Sequence, residues 1–198
     1  MRYDKKMMRV IEGERAIYGF LYGNNKIVLI KCGAGGVVQG RDNKYLKMAH
    51  RIHEKIGATG ICSSNTDIDE YLDGKSLDEM AIRWVAQKKG FVDYEVYLIG
   101  NSDGGWKNLS LAKRVKQLVK FVGINTSYVD TEMLIEQLKD LSKIDKVLVC
   151  GTNDQESTAY IEPLRKAKIP NLEIKLIEGA DHEFTGMTDT FIDLVNLI

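Results

Sequence analysis

Long hydrophobic runs and an excess of charge are both missing from this sequence. No stretch approaches the roughly 18 apolar residues that a membrane-spanning helix needs, and 28 basic against 28 acidic side chains give a formal net charge of zero. Balanced charge disfavours a general nucleic-acid or anionic-membrane binder, because such proteins need a positive field. Hydrophobic residues make up 44% of the 198 residues, which is too many for a disordered chain. We therefore expect one folded domain over residues 1–198, with neither a nucleic-acid nor a membrane partner.

Proline and cysteine are also scarce. The two prolines, Pro163 and Pro170, do not sit in a linker, so nothing marks a domain boundary. Cys32, Cys62 and Cys150 are odd in number, widely spaced and without a CxxC pair, which predicts reduced, buried thiols. The basic start of the chain is not followed by the apolar segment of a secretory signal, so we expect a cytoplasmic protein.

The sequence does contain a regular alternation of short apolar runs with segments of helical spacing. Six runs predict strands: Lys26–Cys32, Ala58–Cys62, Glu95–Ile99, Val119–Ile124, Lys146–Cys150 and Leu172–Ile177. The predicted helices are Tyr45–Ile56, Leu77–Lys89 after the cap Ser76, Leu109–Gln117, Thr131–Leu141, Ser157–Lys168 and Thr188–Leu197. The first 22 residues predict one or two more strands. Together these elements predict an α/β fold, a three-layer α/β/α sandwich around a mainly parallel, doubly wound sheet.

A G-x-S-x-G pattern follows the third of these strands. Gly100, Ser102 and Gly104 match it, and Gly105 comes next, between a predicted strand and a predicted helix. A serine on so sharp a turn needs a strained backbone, and the neighbouring positions need very small side chains. The pattern predicts that Ser102 is a nucleophile, whereas the alternative is an ordinary glycine-rich turn.

Two further polar residues follow later strands. Asp154 comes after the fifth strand and His182 after the sixth, so the chain order is serine, acid, histidine. Ligands of such sheets bind beyond the carboxyl ends of the strands, where all three residues are expected to lie. A histidine can take the proton of a serine hydroxyl, and a carboxylate can orient that histidine. We therefore predict catalytic roles for Ser102, Asp154 and His182.

A glycine-rich turn also follows the first long strand, at Cys32-Gly-Ala-Gly-Gly. Its backbone N–H groups could approach a substrate closely and bind the oxyanion that develops during acyl transfer. We predict that the N–H groups of Ala34 and Asp103 form this oxyanion hole.

These motifs resemble those of the α/β-hydrolase superfamily, over nearly the whole chain. KIVLIKCGAGG is similar to its third strand and oxyanion loop, YLIGNSDGG to its nucleophile elbow, VLVCGTND to its acid-bearing strand end and GADHEF to its histidine loop. The resemblance is to compact members without a cap, such as small esterases and dienelactone-hydrolase-like proteins. It implies hydrolysis of a small carboxylic ester or thioester through an acyl-enzyme, with no metal or organic cofactor. The partner it implies is a small-molecule ester, and the protein is expected to be a monomer or a homodimer.

The sequence departs from the family pattern in the loop. Cys32 replaces the usual histidine, which puts the ordering of the oxyanion loop in question, and the carboxylate of Asp103 could repel anionic substrates. The short link between Gly123 and the helix at Thr131 predicts that no lid covers the site. Aromatic and sulfur side chains in the surrounding loops are candidates for the substrate rim: Tyr71, Trp106, Tyr128, Phe184 and Met187.

Other functions remain open at this point. The loss of the loop histidine favours a non-catalytic protein of the same fold that binds a ligand or partner. A cysteine-dependent hydrolase using Cys32 or Cys62 is a third hypothesis. His50 and His53 do not fit a zinc-helix pattern, and the glycines after Cys32 fail the dinucleotide fingerprint, so we predict neither site.

Overall fold

A computed structural model describes residues 4–9, 15–65, 71–72, 75–127 and 130–198, with side chains for residues 18–65, 76–127 and 130–198. Within this part of the chain, one sheet holds eight strands in the order β1-β2-β4-β3-β7-β8-β9-β10. Its strands are β1 Asp4–Arg9, β2 Arg15–Leu21, β3 Asn24–Lys31, β4 Ala58–Ser63, β7 Glu95–Asn101, β8 Leu118–Ile124, β9 Asp145–Gly151 and β10 Leu172–Ile177. β5 Tyr71–Leu72 and β6 Lys75–Ser76 form a separate small hairpin.

Only β2 runs in the opposite direction to the other strands of the large sheet. β1 pairs with β2, and β2 with β4, in antiparallel register, whereas all later pairings are parallel. The predicted mainly parallel sheet is therefore confirmed, and the start of the chain supplies two strands where one or two were expected. Because the parallel strands share a direction, the loops after β3, β7, β8, β9 and β10 all leave from one edge of the sheet.

Helices cover both faces of the sheet. They are α1 Lys44–Ile56, α2 Leu77–Lys89, α3 Asp103–Ala112, α4 Thr131–Asp140, α5 Gln155–Ala159, α6 Ile161–Ala167 and α7 Thr188–Asp193, with short 3₁₀ turns at Arg41–Asn43 and Leu194–Leu197. One apolar cluster joins the sheet to α2, α3, α4 and α6. A second cluster on the opposite face joins it to α1 and α7. This is the three-layer arrangement predicted from the strand and helix pattern.

Two helices differ most from their predicted bounds. α3 begins at Asp103, six positions before the predicted Leu109, with Gly104 and Gly105 helical despite the low helix propensity of glycine, and it ends at Ala112 rather than at the predicted Gln117. The predicted helix Ser157–Lys168 is divided into α5 and α6 at Tyr160, whose hydroxyl donates to Thr126 O at 3.0 Å. At Tyr160 a tertiary contact accompanies the break in the predicted helix.

The link from β8 to α4 is short, as predicted. Only residues 125–130 separate Ile124 from Thr131, which leaves no room there for a cap domain. Among the residues that the structure describes, no helix combines the length and the apolar character needed to cross a membrane.

Candidate active site

The turn between β7 and α3 holds Ser102 in a strained conformation. Its φ is 53° and its ψ is −129°, a region that non-glycine residues rarely occupy. A Cβ atom at Gly100 would collide with the backbone of Gly104, and one at Gly104 would collide with Cys32 O. Close approach of the backbone thus requires glycine at both pattern positions. The glycines let the turn present Ser102 beyond the carboxyl end of β7.

The three residues predicted to act together are in contact. Ser102 Oγ lies 2.8 Å from His182 Nε2, and His182 Nδ1 lies 3.0 Å from Asp154 Oδ2. Asp154 and Ser102, the two ends of the row, are buried, and His182 between them is partly exposed. In the tautomer with hydrogen on Nδ1, His182 donates to Asp154, and Nε2 can accept the proton of Ser102.

The loop that carries His182 is fastened at several points. Asp181 Oδ1 accepts the N–H of Thr185 at 2.8 Å, and hydrogen bonds from Thr185 lower the pKa of Asp181 below its usual value. Beyond His182, the buried ammonium of Lys44 on α1 donates to Glu183 Oε2 at 3.1 Å and lies over the Phe191 ring, 4.7 Å from its centroid. The loop is therefore held to α1.

The oxyanion loop lies directly against the elbow. A Cβ atom at Gly33 would be 3.2 Å from Ser102 Cβ. The N–H of Gly33 faces away toward Tyr45 Oη at 3.4 Å, which leaves the next residue, Ala34, as the candidate donor. Asp103 is the first residue of α3, and the N–H groups of a first helical turn have no acceptor within the helix. Both predicted donors thus lie in segments beside Ser102.

Cys32 orders the loop in place of a histidine. Its thiol donates to Val37 O at 3.1 Å, and Gly36 N donates to Gly33 O at 2.9 Å, so the turn is closed by its own bonds. Asn65, which sequence reasoning missed, adds a second support from the segment that follows β4: Nδ2 donates to Cys32 O at 3.0 Å and to Asp103 Oδ2 at 2.9 Å. The loop is therefore ordered by contacts other than those of a histidine.

No protein-family model matches the sequence, and no curated protein matches it. Solved structures do match. A protein from Agrobacterium tumefaciens described as a putative α/β hydrolase has a TM-score of 0.72 at 16% identity, covering 98% of this chain and 94% of the other. Est1E from Butyrivibrio proteoclasticus also has a TM-score of 0.72, at 12% identity, covering 98% and 96% of the two chains. Dienelactone hydrolase from Anabaena variabilis has a TM-score of 0.66 at 15% identity, covering 97% and 95%.

The chain has the α/β-hydrolase fold. Ser102 lies between the central strand β7 and α3, which is the strand–turn–helix context that its motif requires. The carboxylate of Asp103 beside it is compensated, because Lys107 Nζ lies 3.4 Å from Asp103 Oδ2 and also donates to Asn65 Oδ1. The predicted repulsion of anions by Asp103 is weakened accordingly.

The thiols are unsuited to nucleophilic attack in this α/β-hydrolase fold. Cys32, Cys62 and Cys150 are all free and buried, as predicted from their spacing. Burial raises the pKa of the Cys32 thiol to about 12 and that of Cys62 well above its usual value. Because the thiolate is the reactive form, the hypothesis of a cysteine-dependent hydrolase loses its basis.

The candidates for the substrate rim have different outcomes. Phe184 was expected on the rim, but its φ of 57° turns the ring into the core against Phe191, with ring centroids 5.3 Å apart. Met187 is partly buried against the same cluster, and Trp106 is half-buried on α3. Tyr128 and the side chain of Tyr71 lie outside the described residues.

A serine that the sequence did not single out contacts Ser102. Ser127 Oγ lies 3.3 Å from Ser102 Oγ and donates to Glu156 Oε2 at 3.1 Å. The shorter contact of Ser102 is the one with His182, so its proton is best placed there. Ser127 follows β8, and a polar residue just beyond a strand end was the one signal that could have identified it.

Proposed function

We propose that this protein is a serine hydrolase that cleaves a small carboxylic ester or thioester. The observation that carries the proposal is the hydrogen-bonded row from Ser102 through His182 to Asp154, with the serine strained at the edge of the sheet. Positive φ at a serine is costly, and such strain is typical of functional positions. Other solved structures with this fold are named as a putative α/β hydrolase and a dienelactone hydrolase, which supports the same reaction class.

The geometry supports a two-step acyl transfer. Ser102 Oγ attacks the substrate carbonyl carbon as its proton passes to His182 Nε2, and Asp154 stabilises the imidazolium. The negative charge on the former carbonyl oxygen is met by the N–H groups of Ala34 and Asp103. Collapse of this intermediate expels the alcohol or thiol, which takes the proton from His182. Water then attacks the acyl-enzyme, with His182 accepting its proton, and the acid leaves.

The Cys32 thiol also bears on the non-catalytic alternative. That alternative rests on the missing loop histidine, yet the loop is closed by the bond from Cys32 to Val37 O and supported by Asn65. These contacts weaken the ground for an inactive site, and they support the hydrolase as the proposed function.

A fluorophosphonate probe tests the proposal directly. We expect covalent labelling of Ser102, located by peptide mass spectrometry, and hydrolysis of short aryl esters by the wild type. Ser102→Ala and His182→Ala should each lower kcat by at least about 10³-fold. Ser142→Ala, at an exposed serine, and His53→Ala, at an α1 histidine whose Nδ1 lies 2.9 Å from Ala58 O, serve as matched controls with activity within twofold of wild type. Absence of Ser102 labelling together with absence of ester turnover would refute the proposal.

A further inference from the structure

Asn125 is the first residue after β8, and its side chain is fully buried. Its φ is 41°, close to the left-handed region that Asn and Gly tolerate better than other residues do. A buried amide must find partners for both its donors and its acceptor. Asn125 finds them on two separate segments of the candidate site.

The donor side of the amide holds the histidine loop. Asn125 Nδ2 donates to Asp181 O at 2.8 Å and to His182 O at 3.1 Å. These two carbonyl groups belong to the peptide units immediately before and immediately after the Cα atom of His182. The amide therefore fixes the backbone from which the imidazole projects.

The acceptor side of the amide holds the segment that carries the acid. Asn125 Oδ1 accepts from Gly151 N at 2.7 Å and from Ser157 Oγ at 3.4 Å. Asp154 lies between these two residues in the chain. One planar group thus sets the histidine loop and the Asp154 segment at a fixed separation.

The backbone of Ser102 is hydrogen-bonded next to Asn125. Ser102 N donates to Ile124 O at 2.8 Å, one residue before Asn125. We propose that Asn125 is a positioning residue, which holds the imidazole of His182 in register with the carboxylate of Asp154 and with Ser102. This inference rests on the proposed function, because positioning matters only if these three residues react together.

A nearly isosteric substitution tests the donor side of the Asn125 amide separately from its acceptor side. Asn125→Asp keeps an oxygen for Gly151 N and keeps a side chain that tolerates the left-handed backbone, but it replaces the donor group by an oxygen that faces two carbonyls. The carbonyl groups of Asp181 and His182 then lose their donor, so the histidine loop is free to shift. Small displacements of a general base are costly, since about 1 Å of misplacement can lower a rate about 10²-fold.

The experiment compares Asn125→Asp with a variant that loses stability elsewhere. Lys146 is buried near the other end of β9, where its ammonium donates to Leu141 O and Ile144 O, so Lys146→Met is the control. Both are assayed at a temperature at which circular dichroism shows them fully folded. We expect Asn125→Asp to lower kcat at least tenfold with KM within twofold, because a buried residue touches no substrate. We expect Lys146→Met to keep kcat within twofold.

A spectroscopic readout makes the test independent of turnover. The low-field proton resonance of His182 Nδ1–H reports its hydrogen bond to Asp154, and it should shift or broaden in Asn125→Asp alone. If that variant does not fold, Asn125→Gly keeps the left-handed backbone and removes every side-chain bond, and the same measurements apply. A kcat within twofold of wild type and an unchanged resonance would overturn the positioning role. A wild type that neither hydrolyses esters nor labels would instead refute the proposed function, and the resonance would still report on Asn125.

Discussion

The negative charge of Glu156 should make the candidate site discriminate between cationic and anionic substrates. Its carboxylate accepts from Ser127 Oγ at 3.1 Å, and Ser127 Oγ lies 3.3 Å from Ser102 Oγ. These two contacts in series place the carboxylate roughly 6 Å from Ser102 Oγ. For a charged group of a substrate bound beside Ser102, we take the same separation of about 6 Å. The perturbation is Glu156→Gln, which removes the charge and nearly preserves the shape.

The magnitude follows from Coulomb's law. At about 6 Å, two unit charges interact by about 0.7 kcal/mol in a water-like dielectric and by about 2.8 kcal/mol at an effective dielectric of about 20. Glu156 is exposed on α5, so the lower value applies. A cationic substrate should lose about threefold in kcat/KM in Glu156→Gln, and an anionic substrate should gain about threefold. The ratio between them should change by about tenfold.

The assay uses three aryl esters of equal acyl length, whose chains end in an ammonium, a methyl or a carboxylate group. Wild type should prefer the cation over the anion, and added salt should compress that preference by screening. Glu162→Gln is the matched control, because it removes the same charge from an exposed position on the next helix, α6. A cation-to-anion ratio that changes less than twofold in Glu156→Gln, or that changes equally in the control, would refute the reasoning.

Three further outcomes are expected. Replacing only Asp78 by Asn should destabilise the fold by about 3–5 kcal/mol in urea denaturation, because Lys31 Nζ lies 2.9 Å from Asp78 Oδ2 and both side chains are buried; an unchanged midpoint would contradict this. Native Cys32 should resist iodoacetamide at pH 8 and react in urea, since burial raises its pKa to about 12, and intact-mass measurement detects the adduct. Gly104→Ala should lower kcat severalfold or more, because its Cβ would collide with Cys32 O and displace the oxyanion loop; wild-type kinetics in a folded variant would exclude that contact.

The sequence was informative wherever one strand positions one residue. A buried parallel strand has an unambiguous pattern, and its carboxyl end lies at a known edge of the sheet, so Ser102, Asp154 and His182 could be assigned to one place without a structure. Their contacts of 2.8 and 3.0 Å follow from that shared edge. Phe184 shows the limit of the same reasoning: a loop residue is expected at the surface, but the direction of its ring depends on a turn with positive φ that no periodicity reveals.

The residues that support the site could not be found in this way, because each acts between segments that are distant in the chain. Asn65 contacts the loop at Cys32 and the helix at Asp103, and Asn125 joins the segments around Asp154 and His182. Polar residues commonly follow strands. Whether the amide of such a residue is buried, as in Asn65 and Asn125, depends on how several loops pack around it. The candidate reactive groups can therefore be predicted from local sequence pattern. The groups that position them can be identified only from the folded structure, in which all the loops at this end of the sheet come together.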